Sequence, residues 1–160
     1  MKILIVSDTH RSDYNLMRVM ELERPVDRVI HLGDIEENEG AIQKIVDCPL
    51  DIVCGNNDFW CNLPKEKEIT LGKYQVFLTH GHTYFVSLDT QMLKREARAR
   101  GMQIAMYGHT HRPKIETDQG VTILNPGSLS YPRQQGRQPS YIVMEFDTDG
   151  EAQFTLKYLD

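Results

Sequence analysis

In four places the 160-residue chain ends a short apolar segment on a carboxylate, a carboxamide or an imidazole. Ile3 to Val6 leads into Asp8 and His10, Val29 to Leu32 into Gly33-Asp34, Ile52 to Cys54 into Gly55-Asn56-Asn57-Asp58, and Ile104 to Tyr107 into Gly108-His109-Thr110-His111. His80 closes a further strand, Val76 to Thr79. Apolar runs this short read as strands. In open α/β sheets the loops beyond the carboxyl ends of the strands converge on one crevice, so side chains far apart in the chain are expected to meet there.

The intervening segments support that architecture. Tyr14 with Met17, and Leu16 with Val19 and Met20, follow helical spacing, with Asp13 placed to cap; Ala41 to Val46 also reads as helix. Strands at Lys2 to Ser7, Arg28 to Leu32 and Leu50 to Cys54 then make a β-α-β-α-β opening, the pattern of a parallel sheet. Beyond it, Glu68 to Leu71 and Gln75 to Thr79 flank Gly72-Lys73 as a hairpin, and Leu88 to Arg100 reads as helix. Lys114 to Thr117 with Val121 to Leu124, and Ser140 to Phe146 with Ala152 to Tyr158, read as two more hairpins. Pro132 to Pro139 is the expected mobile loop. Arg95, Glu96, Arg98 and Arg100 read as a solvated helix face, and His31 as a core residue.

Composition narrows the function classes. A chain with 40% hydrophobic and 26% charged residues has the balance of a globular domain. No apolar run approaches the roughly 18 residues of a membrane span, and the four-residue apolar start is short for a signal peptide, so cytoplasm is the expected location. Eighteen Lys and Arg against 23 Asp and Glu give a net charge of −5, which disfavours extended nucleic-acid binding. Cys48, Cys54 and Cys61 form no C-x-x-C pair and fit reduced thiols.

Carboxylate, imidazole and carboxamide together suit borderline divalent metals. Asp8, His10, Asp34, Asn56, His80, His109 and His111 are too many for one ion, whereas two ions sharing a carboxylate would use them all. Gly33, Gly55 and Gly108 read as points where the backbone must turn sharply.

In order, Asp8-x-His10, Gly33-Asp34, Gly55-Asn56-x-Asp58, His80-Gly-His82 and Gly108-His109-x-His111 resemble the calcineurin-like metallophosphoesterases, especially their small bacterial and archaeal phosphodiesterase branch. The resemblance runs from Met1 to about Arg133, and Asn125-Pro126-Gly127-Ser128 is similar to a further segment of that branch. It implies an α/β fold, a four-layer α/β/β/α sandwich of two mixed sheets; the chain length, with no internal repeat or linker, gives residues 1–160 as a single domain. The resemblance implies a first ion held by Asp8, His10 and His111, a second by Asn56, His80 and His109, and Asp34 bridging both. The implied reaction is hydrolysis of phosphate diesters by a metal-bridging hydroxide, with manganese as the first expectation and iron, zinc or nickel as alternatives.

Many relatives carry a histidine where this chain has Asn57. An amide cannot serve as general acid near pH 7, though it can donate a hydrogen bond to a phosphoryl oxygen. Asn57 and Asp58 are therefore the expected catalytic pair, with Asp58 equally readable as a backbone-bonded support. Asn57, His82, Arg11, Arg112, Asn125, Ser128 and Arg133 are the expected substrate contacts. A phosphomonoesterase shares the same metals, and a protein-binding scaffold like the vacuolar-sorting retromer subunit shares the implied fold; both stay open, as does self-association. The expected partner is a small phosphodiester, with no membrane.

Overall fold

The computed structural model describes residues 1–36 and 39–160. β1 (Lys2–Val6), α1 (Tyr14–Glu23), β2 (Arg28–His31), α2 (Glu39–Ile45) and β3 (Leu50–Ile52) alternate as the apolar spacing predicts. β1 lies parallel to β2 with Leu4 opposite Val29, and β2 parallel to β3 with Ile30 opposite Asp51. The chain continues through β4 (Glu66–Leu71), β5 (Tyr74–Thr79), α3 (Gln91–Ala99), β6 (Ile104–Met106), β7 (Lys114–Asp118), β8 (Val121–Asn125), β9 (Ser140–Phe146) and β10 (Ala152–Tyr158). Two five-stranded mixed sheets result, ordered β10-β9-β1-β2-β3 and β4-β5-β6-β8-β7. The last hairpin returns to the first sheet, where Val143 of β9 lies antiparallel to Leu4.

Strand alternation explains the layering. Leu4 and Val6 face α1 and α2 and pack with Leu16, Val19, Met20 and Ile42, while Ile3 and Ile5 face the second sheet and pack with Val76, Leu78, Ile104 and Met106. On the far side, Phe77, Ala105 and Ile123 pack with Leu93 and Ala97 of α3. Both sheets are apolar on both faces because each is covered on both. The four-layer α/β/β/α sandwich thus follows from period-two alternation in strands whose two faces are both buried.

Local expectations need three corrections. Asp13 precedes α1 with helical dihedrals (φ −83°, ψ −6°) and makes no side-chain cap bond, because a capping side chain needs an extended backbone to reach the amides. The helix expected from Leu88 begins at Gln91, after a short 3₁₀ turn at His82–Tyr84. Its charged face is not simply solvated. Arg100 reaches Glu66, Glu68 and Glu96 and lies 4.4 Å from the Phe77 ring centroid, and buried Lys94 pairs with Glu116 and Asp118. These bonds tie α3 to both edge strands of its sheet, a placement that helical periodicity alone does not contain.

Candidate metal centre

The loops after β1, β2, β3, β5 and β6 meet at one end of the sandwich. Their backbones are cross-linked there: the Asp8 amide donates to the Gly33 carbonyl at 3.0 Å, His10 to Asp34 at 3.0 Å, and Gly108 to His80 at 3.1 Å. Asp8 (φ 57°), His10 (45°), Asp34 (56°), His109 (67°) and His111 (56°) all occupy the left-handed region. Each such residue carries roughly 1–2 kcal/mol of local strain, a cost concentrated where side chains must turn inward within a few residues of a strand end.

The glycines act differently from one another. Gly33 has φ 96°, as a sharp turn requires. Gly55 and Gly108 lie outside the left-handed region, although the chain turns at both, with the Asp58 amide donating to the Gly55 carbonyl at 3.4 Å and the Thr110 amide to the Gly108 carbonyl at 2.8 Å. They are needed for space: a Cβ on Gly55 would stand 2.1 Å from Asp34 Oδ1, and one on Gly108 2.1 Å from Ser7 Oγ.

Asp8, His10, Asp34 and His111 bring one potential ligand atom each within 4.8 Å of one another. Asp8 Oδ2 accepts from Ser7 Oγ at 2.6 Å and the His109 amide at 3.2 Å, leaving Oδ1 buried without a hydrogen-bond partner. That oxygen lies 3.0 Å from His111 Nε2 and 3.7 Å from His10 Nε2. The Nδ1 atom of His111 faces the Tyr131 carbonyl at 2.8 Å, and that of His10 faces Glu36 Oε1 at 2.5 Å. Each Nδ1 must donate to its acceptor, so in the neutral rings both Nε2 atoms present lone pairs, only 3.3 Å apart. Lone pairs turned toward one another and toward a carboxylate fit a cation between them, held by ligands whose outer nitrogens are already oriented.

A second set repeats the pattern. His80 Nδ1 donates to the Leu32 carbonyl at 2.7 Å, which turns Nε2 toward Asn56 Oδ1 at 3.0 Å and Asp34 Oδ2 at 3.5 Å. His109 Nδ1 lies 2.9 Å from the same Asn56 oxygen. Asp34 Oδ2 also stands 3.8 Å from His10 Nε2, between the two sets. All seven expected ligands are therefore brought together.

The ionisation states follow the geometry. Burial opposes charge on Asp8, yet His10 and His111 hold its carboxyl well below the usual range. Burial likewise opposes charge on Asp34, but His80 and the Asn57 donors bring it down to about 2. Against desolvation, Asp8 and Glu36 raise His10 to about 9, and Asp34 and Asp8 raise His80. Burial, with the neighbouring charge of His80, lowers His109 and His82.

The remaining expected residues divide. Asn57 donates its backbone amide to Asp34 Oδ1 at 2.9 Å and its side-chain amide to Asp34 Oδ2 at 2.7 Å. Asp58 accepts from the amides of Asp34, Gly55 and Glu36 at 2.7–2.8 Å, which binds it to the loop backbones and makes it a positioning carboxylate. Asn125 and Ser128, expected to touch substrate, are instead fully buried. Asn125 donates to the Gly108 carbonyl and Thr110, and Ser128 to the Asp8 carbonyl, so both spend their polar groups bracing ligand loops. His82 lies tilted beside His80 and His109, with ring centroids at 5.5 and 6.1 Å, and its Nδ1 is buried and unpartnered. Arg11 is exposed and donates from Nε to the Glu36 carbonyl at 2.7 Å. Exposed Arg112 and Arg133 border a cavity of about 770 Å³ that His10 and His111 also line.

Sequence reading missed Glu36 and Ser7, which orient His10 and Asp8. Their adjacency to Asp34 and Asp8 was the available signal. His31, expected in the core, is fully buried; its Nδ1 accepts from the Gly33 amide at 3.2 Å and its Nε2 bonds Thr9 Oγ1 at 3.1 Å.

Burial holds His31 down to about 4, so the folded protein resists the proton that the unfolded chain takes up near pH 6.5. Its stabilising effect is complete above pH 6.5 and is lost as pH falls toward 4, up to roughly 3 kcal/mol. Urea unfolding of chelator-treated protein should show a shallower loss over that window in His31→Gln than in the wild type. Equal slopes would mean that His31 protonates freely in the folded state.

Comparison with known proteins agrees with this arrangement. Residues 1–149 match the calcineurin-like phosphoesterase superfamily domain. The chain is 29% identical over 163 residues to the probable metallophosphoesterase YsnB of Bacillus subtilis (strain 168), with 100% of this chain and 91% of that one covered. It is 30% identical over 149 residues to phosphodiesterase MJ0936 of Methanocaldococcus jannaschii, covering 79% and 83% of the two chains. A predicted phosphoesterase of Streptococcus pneumoniae TIGR4 superimposes with a TM-score of 0.81 at 27% identity, covering 98% and 97%. Vps29 of Entamoeba histolytica, solved in complex with zinc, shares the fold with a TM-score of 0.76 at 23% identity and 99% coverage of each chain. With the motif loops at one rim and the domain match spanning them, the chain belongs to the calcineurin-like phosphoesterase superfamily.

Proposed function

We propose that residues 1–160 act as one domain, a cytoplasmic phosphodiesterase that uses two divalent ions, manganese first among them. The observation that carries this reading is the place of Asp34 Oδ2, shared between the His10 side and the His80 side of the ligand cluster. Asp8, His10 and His111 would hold one ion, Asn56, His80 and His109 the other, and Asp34 both. Such a pair supplies Lewis acidity and an activated water when bound. The chain's own contribution is orientation: Leu32 and Tyr131 carbonyls and the Glu36 carboxylate fix the rings, and Asp58 fixes the loops that carry Asp34 and Asn56.

Asn57 supports a diester with a good leaving group. Its amide is hydrogen-bonded to Asp34 and carries no acidic proton for a departing alkoxide. Manganese-loaded protein should therefore cleave aryl phosphodiesters at rates that fall steeply as leaving-group pKa rises, and Asn57→His should flatten that dependence. A flat profile in the wild type would place the acid elsewhere. Parallel assays on 4-nitrophenyl phosphate and bis(4-nitrophenyl) phosphate separate the alternatives: preference for the monoester would make this a phosphomonoesterase. Hydrolysis of neither would favour the scaffold reading, which the likeness to Vps29 supports at the level of fold.

A further inference from the structure

We propose that the cavity beside His10 and His111 is an anion subsite, which holds a second phosphate of the substrate while its diester lies at the metal centre. The inference rests on the hydrolase reading above and narrows the substrate to a diester carrying a further phosphate. The cavity, about 770 Å³, is lined by His10, His111, Arg112, Tyr131, Arg133 and Arg137, among others, and by no carboxylate.

The arginines carry the inference. In a chain of net charge −5, most guanidinium groups are engaged: Arg24 with Asp47, Arg28 with Asp51, Arg98 with Asp118, Arg100 with three glutamates, and Arg11 and Arg18 with main-chain carbonyls. Among the described residues, Arg112, Arg133 and Arg137 form no side-chain hydrogen bond or ion pair, and all three line this cavity; Arg112 and Arg133 also border a neighbouring cavity that Asp89 and Glu116 line, and Arg95, also unpaired, lines neither. With acidic residues in excess, gathering unpaired cations where no carboxylate lines the wall leaves a positive site with no internal partner. The loop bearing two of them is braced. Arg133 donates its amide to the His111 carbonyl at 3.0 Å, Arg137 donates its amide to the Gln134 carbonyl at 3.1 Å, and Gln134 Nε2 donates to the Gln138 carbonyl at 2.5 Å. The stretch expected to be a mobile loop is thereby anchored to the backbone of a ligand histidine, so the main chain from which Arg133 and Arg137 extend is held beside the metal centre. Guanidinium forks match phosphate oxygens in geometry as well as in charge.

The test compares thymidine 5′-(4-nitrophenyl phosphate) with its 3′-phosphorylated counterpart, using manganese-loaded protein. The added phosphate should lower KM about tenfold or more, the return expected from one or two charge-assisted hydrogen bonds. That advantage should shrink as ionic strength rises. Arg133→Gln/Arg137→Gln should bring the KM ratio of the two substrates close to one. These exposed, unpaired side chains can be replaced with little effect on folding, which a thermal melt verifies. Equal KM values in the wild type, or an undiminished ratio in the double variant, would overturn the subsite. If neither ester is cleaved, the hydrolase reading fails on its own, and calorimetry with thymidine 3′,5′-bisphosphate decides the subsite. Binding about tenfold weaker in the double variant sustains it, and unchanged binding sinks it.

Discussion

Asp34→Asn should abolish phosphodiester hydrolysis while leaving the fold in place. Asparagine keeps the shape of the side chain and tolerates the left-handed backbone that residue 34 adopts at φ 56°. It removes the negative charge, however, and the carboxyl it replaces is held down to about 2 and is ionised throughout the working range. Because Oδ2 faces both the His10 and His80 sides of the cluster, one substitution should weaken both of the proposed metal positions. The fall in kcat/KM should be at least the ~10²–10³-fold that follows loss of a single transition-state donor. Metal content after desalting should drop with it. Turnover within tenfold of wild type, with bound metal unchanged, would remove Asp34 from the centre.

Gly55→Ala should match that loss without replacing any ligand. A methyl group at residue 55 would meet Asp34 Oδ1 at 2.1 Å and the Asp34 amide nitrogen at 2.3 Å, and the second of these is backbone. Asp34 must then move, which costs about 1–3 kcal/mol of stability as overpacking and displaces the shared oxygen. Gly101→Ala is the control. Gly101 has φ 71° with nothing within 4 Å of an added methyl, so it should lose about 1–2 kcal/mol through backbone strain with activity intact. Equal kinetics for the two variants would show that crowding at Gly55 does not reach the centre.

Much of this was legible in the chain because strand ends were marked on both sides, by apolar runs before them and by Asp, Asn or His after them. The seven expected ligands all reach one rim, since parallel strands deliver their carboxyl ends in the same direction. Asn125 and Ser128 misled because an amide or hydroxyl beside a motif looks the same in sequence whether it points to solvent or into the protein. Their burial beneath the Gly108 and Asp8 loops is a property of packing. Asp58 carries the same lesson: its three amide partners come from residues 34, 36 and 55, which no local pattern groups together.

By itself the sequence determined the alternation of strand and helix, the parallel opening with its strand-rich second half, and the residue types able to hold a metal, because these depend on near neighbours and on side-chain chemistry; the four layers came only as what the family resemblance implied. Only the tertiary structure decided which Asp34 oxygen stands between the two sets, which histidine nitrogens are turned inward, and which arginines are left without a carboxylate. Those properties depend on distances between segments up to about a hundred residues apart, set when the sheets close on their shared core.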